Sequence, residues 1–367
     1  SFLISVYEHL LDYHTLYYNK YEHIVAAQKD GCRKDEEGVW QLSIEQKQDI
    51  LRNNIYGVDI DAQAVEVSQL SLYLKMLENE NVVTVAKHLH KKGRLFGADK
   101  ILPDLSGNIK CGNSLIGSDI LSGQLFADEE LKKLNPFDYA TEFKDVFKNG
   151  GFDAIVGNPP YVRQELIEER TKKYFKQRYQ VFNASADLYV YFFERATSLL
   201  NQKSGRVGYI ANNKWMRANY GKPLRIYLEN VITDLIDFGD LQVFHGAITY
   251  PCIVLATPNR KGKFLVTNVK TLDFVSLQDY VDEHGEDFPM KLLTSEGWNT
   301  ANSKHILLTK KMAKESVPLK EFVNGKIYYW LKTGFNEAFV INEATKSGLI
   351  KEDSRSAKII KPFLAGR

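Results

Sequence analysis

The stretch GFDAIVGNPPYV, Gly151 to Val162, decides the fold. FDAIVGN (152–158) is a short apolar run of the kind that forms a strand in a parallel sheet. Pro159 and Pro160 stop it, because neither has an N–H to give to a ladder. In an open α/β sheet, ligands bind beyond the carboxyl ends of the strands. Asn158 and the Pro159 carbonyl would stand there as acceptors, held rigid by the two prolines, with the Tyr161 ring beside them. That trio suits a planar amine, offering two acceptors for the hydrogens of an exocyclic NH2 and an aromatic face for its ring. The alternative is a strand-ending turn whose Asn158 and Tyr161 carry no chemistry. The D-A-I-V-G strand before it and Tyr161 directly after it weigh against that reading.

Outward from this stretch, NIYGVDI (54–60) is another apolar run, and Asp61 can cap a helix that follows. That helix places Val67, Leu70, Leu74 and Leu77 on one face. Leu188, Phe192, Ala196 and Leu199 mark a second amphipathic helix. GRVGYIAN (205–212), ITDLIDFG (232–239) and PCIVLATPN (251–259) read as strands. The alternation over the first 260 residues predicts an α/β sheet of mostly parallel strands. After about residue 290 the alternation fades and lysines accumulate, with segments such as KIYYWLKTG (326–334) and EAFVIN (337–342) broken by turns. This places a boundary between 275 and 295, giving one domain over 1–285 and a second over 286–367. The chain has no internal repeat or low-complexity tract.

Composition bounds the class. Of 367 residues, 44% are hydrophobic and 26% charged, which excludes a disordered, collagen-like or disulfide-framework chain. Cys32, Cys111 and Cys252 lie far apart without C-x-x-C spacing, so neither a zinc site nor a disulfide lattice is expected. With no apolar run of 18 residues and no secretory leader, the expectation is a soluble cytoplasmic protein without a membrane partner. The dinucleotide G-x-G-x-x-G, the P-loop, H-E-x-x-H and G-x-S-x-G are all absent, which disfavours nucleotide-dependent hydride or phosphoryl transfer. The net charge of +2 hides segments of −7 (1–160), +7 (161–230), −5 (231–290) and +7 (291–367). Two basic segments between acidic ones suit the walls of a groove for a polyanion; the alternative is ordinary solvated faces.

D-x-I-V-G-N-P-P-Y resembles the catalytic motif of N6-adenine DNA methyltransferases that use S-adenosylmethionine. In segment order the chain is similar to their gamma class, the TaqI-like enzymes with the catalytic domain first and the target-recognition domain last. Within that class it looks like the methylases of type II restriction enzymes with fused activities and of phage exclusion. The resemblance implies a Rossmann-like methyltransferase sheet with helices on both faces, followed by a partial α+β target-recognition domain. It implies that Asp59, in YGVDID (56–61), accepts from the cofactor ribose and that Ile60 packs on its adenine. In KCGNSLIG (110–117), Asn113 stands where the family often has Asp near the adenine amino group. Phe192 would be a second apolar wall for that adenine, and Phe244, in VFHGAITYP (243–251), a second aromatic against the target base; core packing is the alternative for both. Ser1, Phe2 and Leu3 look like the tail of the family's first motif, beside the methionine moiety. KTGFNEAFVI (332–341) and IIKPFLAGR (359–367) look like the start of the recognition domain, so the chain is expected to be a piece cut at both ends.

The implied reaction starts with an adenine rotated out of double-stranded DNA, since its N6 cannot be reached inside the duplex. Tyr161 and Phe244 would sandwich it, while Asn158 and the Pro159 carbonyl hold the two N6 hydrogens as the nitrogen attacks the sulfonium methyl. No metal is required. Arg163, Lys214, Arg217 and Lys222 would contact phosphates, and the C-terminal basic segment would read base edges. No obligate protein partner is expected, and if the parent protein also cuts DNA, its endonuclease is expected upstream of Ser1. Two other readings stand beside this one. N-P-P-Y also occurs in enzymes that methylate a glutamine amide or RNA guanine, although a basic domain after the catalytic one suits DNA better. The chain is otherwise a catalytically incomplete DNA-binding or specificity module.

Overall fold

The computed structural model describes residues 2–20, 23–91, 101–121, 133–244, 249–258, 260, 264–300, 303–324 and 340–361. Its strands in chain order are β1 (Arg33–Lys34), β2 (Trp40–Gln41), β3 (Gly57–Asp59), β4 (Ile109–Cys111), β5 (Ala154–Gly157), β6 (Arg206–Asn212), β7 (Ile232–Asp237), β8 (Pro251–Ala256), β9 (Phe264–Asn268) and β10 (Glu286–Phe288). Six form one sheet in the order β10-β9-β7-β8-β6-β5. β5 runs parallel to β6, with Gly157 opposite Tyr209, and β7 runs parallel to β9. β8 lies antiparallel between β6 and β7, and β10 is antiparallel to β9.

This mixed sheet departs from the mostly parallel one that the sequence predicts. A parallel return needs a crossover of a dozen or more residues, usually a helix. β8 follows β7 through residues 238–250, of which no described residue is helical, and the chain reverses there. β3 and β4 form a separate two-stranded parallel sheet with Asp59 opposite Cys111, and β1 pairs antiparallel with β2.

The chain divides into two compact units, Ser1–Ile306 and Leu307–Arg367. The first holds three buried clusters. One lies around β3 and β4 and joins Tyr7, Leu51, Leu72, Met76 and Ile109 from the surrounding helices. The helix Ile44–Asn54 in this group starts with a capping box between Ser43 and Gln46. Asp61 caps the helix Ala62–Leu77 by accepting from the Gln63 N–H, as the sequence reading expects. The buried face of that helix is not the expected one, however. Val65, Leu72 and Met76 are inside, while Val67 (62%), Leu70 (57%) and Leu74 (64%) are exposed. The segment carries two apolar stripes, and the helices Phe2–Lys20 and Ile44–Asn54 cover only one of them.

The main cluster lines the large sheet and is crossed by the helix Tyr189–Leu199, which buries residues on nearly every side. Its carboxyl end is tied to the start of β5, because the Phe152 N–H donates to the Leu199 carbonyl and the Asn201 N–H to that of Phe152. Gly151 makes this approach possible: its φ is +110°, and an added Cβ would sit 2.7 Å from the Leu199 carbonyl. A third cluster, with Ile236, Phe238 and Tyr280, includes the helix Leu277–His284.

Residues 286–300 pack into the first unit. Trp298 is fully buried with its ring edge-on to Trp215 at 5.2 Å, and its main-chain N–H donates to the Met216 carbonyl. The second unit contains the short helices Leu319–Phe322, Glu343–Glu352 and Ser356–Ile359, with Asn342 capping the middle one through the Thr345 N–H. Residues 325–339 and 362–367, and with them most of the segments at 326–342 and 359–367 singled out in the sequence, lie outside the described residues. Among the described residues no helix is long and apolar enough to cross a membrane.

Candidate active site

β5 ends at Gly157, where a Cβ would crowd the Tyr209 ring of β6 at 3.2 Å. Beyond it the chain leaves the sheet. Asn158 and Pro160 are exposed and Pro159 between them is buried. Tyr161 is half-buried, its ring edge-on to Tyr189 at 5.9 Å and 71°. Its hydroxyl is buried without a hydrogen-bond partner among the described residues, and burial pushes the phenol up to about 12. Tyr189 is in turn linked to Tyr220, hydroxyl to hydroxyl at 3.0 Å. Past Tyr161, the Val162 carbonyl accepts from the Leu188 N–H at 2.9 Å, and the Gln164 N–H donates to Asp187 Oδ1 at 3.3 Å. The helix Tyr189–Leu199 therefore runs beside β5, with its end at the strand's start and its start at the loop that follows the strand.

The neighbouring strand ends are tied together. At the end of β6, Asn212 accepts from the Lys214 N–H, while Asn213 Nδ2 donates to Asp237 Oδ1 of β7 at 2.8 Å. The same carboxylate, buried, accepts from the Gly239 N–H at 3.0 Å, and the Asn213 N–H reaches the Tyr250 carbonyl ahead of β8. Phe244 is half-buried in the loop between β7 and β8; residues 245–248 of that loop lie outside the described residues. No ring contact between Phe244 and Tyr161 is present among the described residues.

On the other sheet, Asp59 and Ile60 stand exposed at the end of β3. Asp59 Oδ1 accepts from the Asp61 N–H, and its carbonyl from the Gly112 N–H, which places the ends of β3 and β4 side by side. Asn113 follows at once. Its Oδ1 accepts from the Leu115 N–H at 3.0 Å, so one of its acceptor positions shapes its own turn. Arg195 Nε donates to the Ser114 carbonyl at 3.0 Å, with the guanidinium over the Tyr139 ring at 5.0 Å. Phe192 is half-buried one turn before Arg195 on the same helix. Phe2 is exposed in the first helix; Ser1 lies outside the described residues.

One helix thus touches both halves of the predicted site, through Tyr189 at the Tyr161 loop and Arg195 at the Asn113 turn. β3 and β5 belong to different sheets but are joined ahead of their first residues, where the Tyr56 and Phe152 rings meet at 5.8 Å. The sequence reading missed Asp187, Tyr189, Arg195 and Asp237. The signal available for them was polar groups set within apolar runs, Asp187 and Arg195 flanking YVYFFE and Asp237 ending ITDLI. Of the predicted phosphate contacts, Arg163, Lys214 and Arg217 are exposed, whereas Lys222 is exposed but ion-paired with Glu296. Among the described residues no three His, Cys, Asp or Glu side chains gather as a metal site would.

Residues 53–244, more than half of the chain, match the Eco57I restriction-modification methylase family. The chain is 30% identical over 351 residues to the type II restriction enzyme and methyltransferase RM.Eco57I of Escherichia coli, covering 94% of this chain and 32% of that protein. It is 40% identical over 122 residues to the type II methyltransferase M.XhoI of Xanthomonas vasicola, covering 32% of this chain and 22% of that one. It is 25% identical over 252 residues to the adenine-specific methyltransferase PglX of Streptomyces coelicolor, covering 64% and 19%. The chain spans about a third or less of the length of these relatives. With the N-P-P-Y segment at a strand's carboxyl end and inside the matched region, the chain belongs to the Eco57I restriction-modification methylase family.

Proposed function

We propose that the chain carries the methyltransferase part of a restriction-modification or phage-defence protein, and that it methylates N6 of a flipped-out adenine in double-stranded DNA. The observation that carries this reading is the end of β5, where exposed Asn158 and two prolines precede a tyrosine whose ring is fixed by Tyr189. Asn158 Oδ1 and the Pro159 carbonyl accept from the N6 hydrogens, Pro160 keeps the turn rigid, and Tyr161 stacks on the base. Stacking of this kind contributes about 1–3 kcal/mol per base. Phe244 is the second aromatic. Rate then derives mainly from orientation and from acceptors already in place. The similarity to an adenine-specific methyltransferase supports adenine as the target, and RM.Eco57I, named as both restriction enzyme and methyltransferase, supports a nuclease elsewhere in the full protein.

The residues at the ends of β3 and β4 fit S-adenosylmethionine. An exposed carboxylate at Asp59 suits two ribose hydroxyls, exposed Ile60 offers an apolar wall, and Asn113 keeps an acceptor position free beside it. Phe192 lies on the helix that Arg195 anchors to this turn, and Ser1 and Phe2 belong to the methionine side. When bound, the cofactor supplies an electrophilic sulfonium methyl. We assign catalysis to a Rossmann-like domain that takes in 1–285 together with β10 and Trp298 of 286–300, which pack on it, and place the start of target recognition after them, within 286–367. Exposed Arg163, Lys214, Arg217 and Lys222 serve as phosphate contacts.

The test uses the full-length protein. Asn158→Ala is expected to abolish transfer of labelled methyl groups to adenine, while calorimetric binding of S-adenosylhomocysteine persists; Asp59→Ala should lose that binding. Methylation by Asn158→Ala at the wild-type rate overturns the assignment. Labelled RNA or protein glutamine in place of DNA adenine would transfer the same site to another substrate.

A further inference from the structure

The Tyr161 loop raises a question that the proposed reaction leaves open: what holds it. Residues 158–164 have left the sheet, and two of them are prolines without an N–H. Lys172 Nζ donates to Gln164 Oε1 at 3.3 Å, and three further interactions fasten the stretch to the consecutive residues 187–189. The Tyr161 ring rests on Tyr189, the Val162 carbonyl accepts from the Leu188 N–H, and the Gln164 N–H donates to Asp187 Oδ1. An aspartate ahead of a helix ordinarily accepts from the helix's own first N–H groups. Here the N-cap is Leu188, no side chain caps the helix, and it is the Asp187 main-chain carbonyl that accepts from the Val190 N–H. The Asp187 carboxylate is therefore spent on the loop.

We propose that Asp187 is a positioning residue for methyl transfer, acting by holding the Tyr161–Gln164 segment so that the ring and the two acceptors ahead of it meet the target base in line. This rests on the proposed function. The groups that face Asp187 are Arg163 and Glu165 on the loop, Lys214 after β6, and the Tyr189 and Tyr220 hydroxyls. Burial holds its carboxyl above the ordinary aspartate range, as for a group placed for its acceptor rather than its charge. An error of 1 Å at a site of this kind costs about 10²-fold in rate. The need is for an acceptor at this point, and an asparagine side chain supplies one.

The test compares Asp187→Ala, Asp187→Asn and Gln164→Pro in the full-length protein on DNA. Gln164→Pro removes the donor while leaving Asp187 in place, and Gln164→Ala, which loses only the side-chain contact with Lys172, is its control. The backbone accommodates the proline, since Arg163 has φ −69° and ψ 149°, the conformation that a following proline favours. Asp187→Ala and Gln164→Pro are each expected to lower kcat about 10–100-fold with little change in KM for DNA. The double variant should be no slower than either single one, and Asp187→Asn should restore most of the rate. Fluorescence of 2-aminopurine at the target position should change with the first two variants and return with Asp187→Asn. An unchanged kcat in Asp187→Ala overturns the proposal, as does a rise in KM alone, which would mark a phosphate-side charge effect. Equal losses in Asp187→Asn and Asp187→Ala also overturn it. If Asp187→Ala does not fold, kcat and KM of Gln164→Pro decide between the same outcomes. Wild-type protein that methylates no adenine overturns the proposed function together with this inference, whereas a fast Asp187→Ala overturns the inference alone.

Discussion

Replacing Arg225 with methionine is expected to weaken the first unit by several kcal/mol. The guanidinium is fully buried and is held by carbonyls: Nε donates to Ser295 at 2.8 Å, and Nη1 to Ala218 at 2.9 Å and to Trp215. Burial lowers its pKa from the usual arginine value, opposed by Glu296 nearby. Methionine keeps most of the packing volume but donates nothing. A buried acceptor left unpaired costs about 1–3 kcal/mol, so the enclosed Trp215 carbonyl contributes about 2 and the two partly enclosed ones about 0.5–1 each. Removing a buried charge recovers some desolvation energy, which leaves a net loss of about 2–4 kcal/mol. That is a large part of the 5–15 kcal/mol by which domains are ordinarily stable, and in a unit of this size amounts to roughly 3–6 °C in Tm. Urea unfolding followed by tryptophan fluorescence measures it directly, because Trp215 and Trp298 are neighbours of the arginine's acceptors. Arg225→Lys, with charge but no fork, should lose less. A midpoint and slope for Arg225→Met that match the wild type to within about 0.5 kcal/mol would refute the reasoning.

Two further outcomes test the packing. Trp298→Ala should cost about 3–5 kcal/mol by cavity formation, and a loss under about 1 kcal/mol would show that 286–300 is not core. Glu194 is buried and accepts from the Val181 N–H at 3.0 Å, and burial raises its pKa above the ordinary 4.5. With the folded pKa raised, its stabilising contribution is complete below the unfolded value and is lost as pH rises through the folded one. Glu194→Gln keeps the acceptor and never ionises. It should therefore melt above the wild type at pH 8, with the difference vanishing toward pH 4. A Tm difference that does not vary with pH would contradict this.

Local chemistry made much of this protein legible before its structure. The strands at 57–59, 154–157, 206–212, 232–237 and 251–256 lie within the runs that apolar patterning marks, and Asp61 caps the helix it precedes. The end of β5 was readable because prolines stop a strand by lacking an N–H, wherever that strand lies. The family followed from the same nine residues, as the match over 53–244 bears out.

Other features depend on which surface meets which. Ala62–Leu77 carries two apolar stripes, and only the position of its neighbouring helices selects Leu72 and Met76 over Leu70 and Leu74. Whether β8 runs with or against β6 is set by how the chain returns after β7, which its own alternation of buried residues does not encode. Asp187, Arg195 and Asp237 acquire partners 23 to 81 residues away in the chain, and no local pattern specifies those. Sequence determined the strand end that presents Asn158, because propensity and covalent geometry act over a few residues. Only the tertiary structure decided what holds the loop beyond it, because hydrogen bonds between distant segments exist only once the chain has packed.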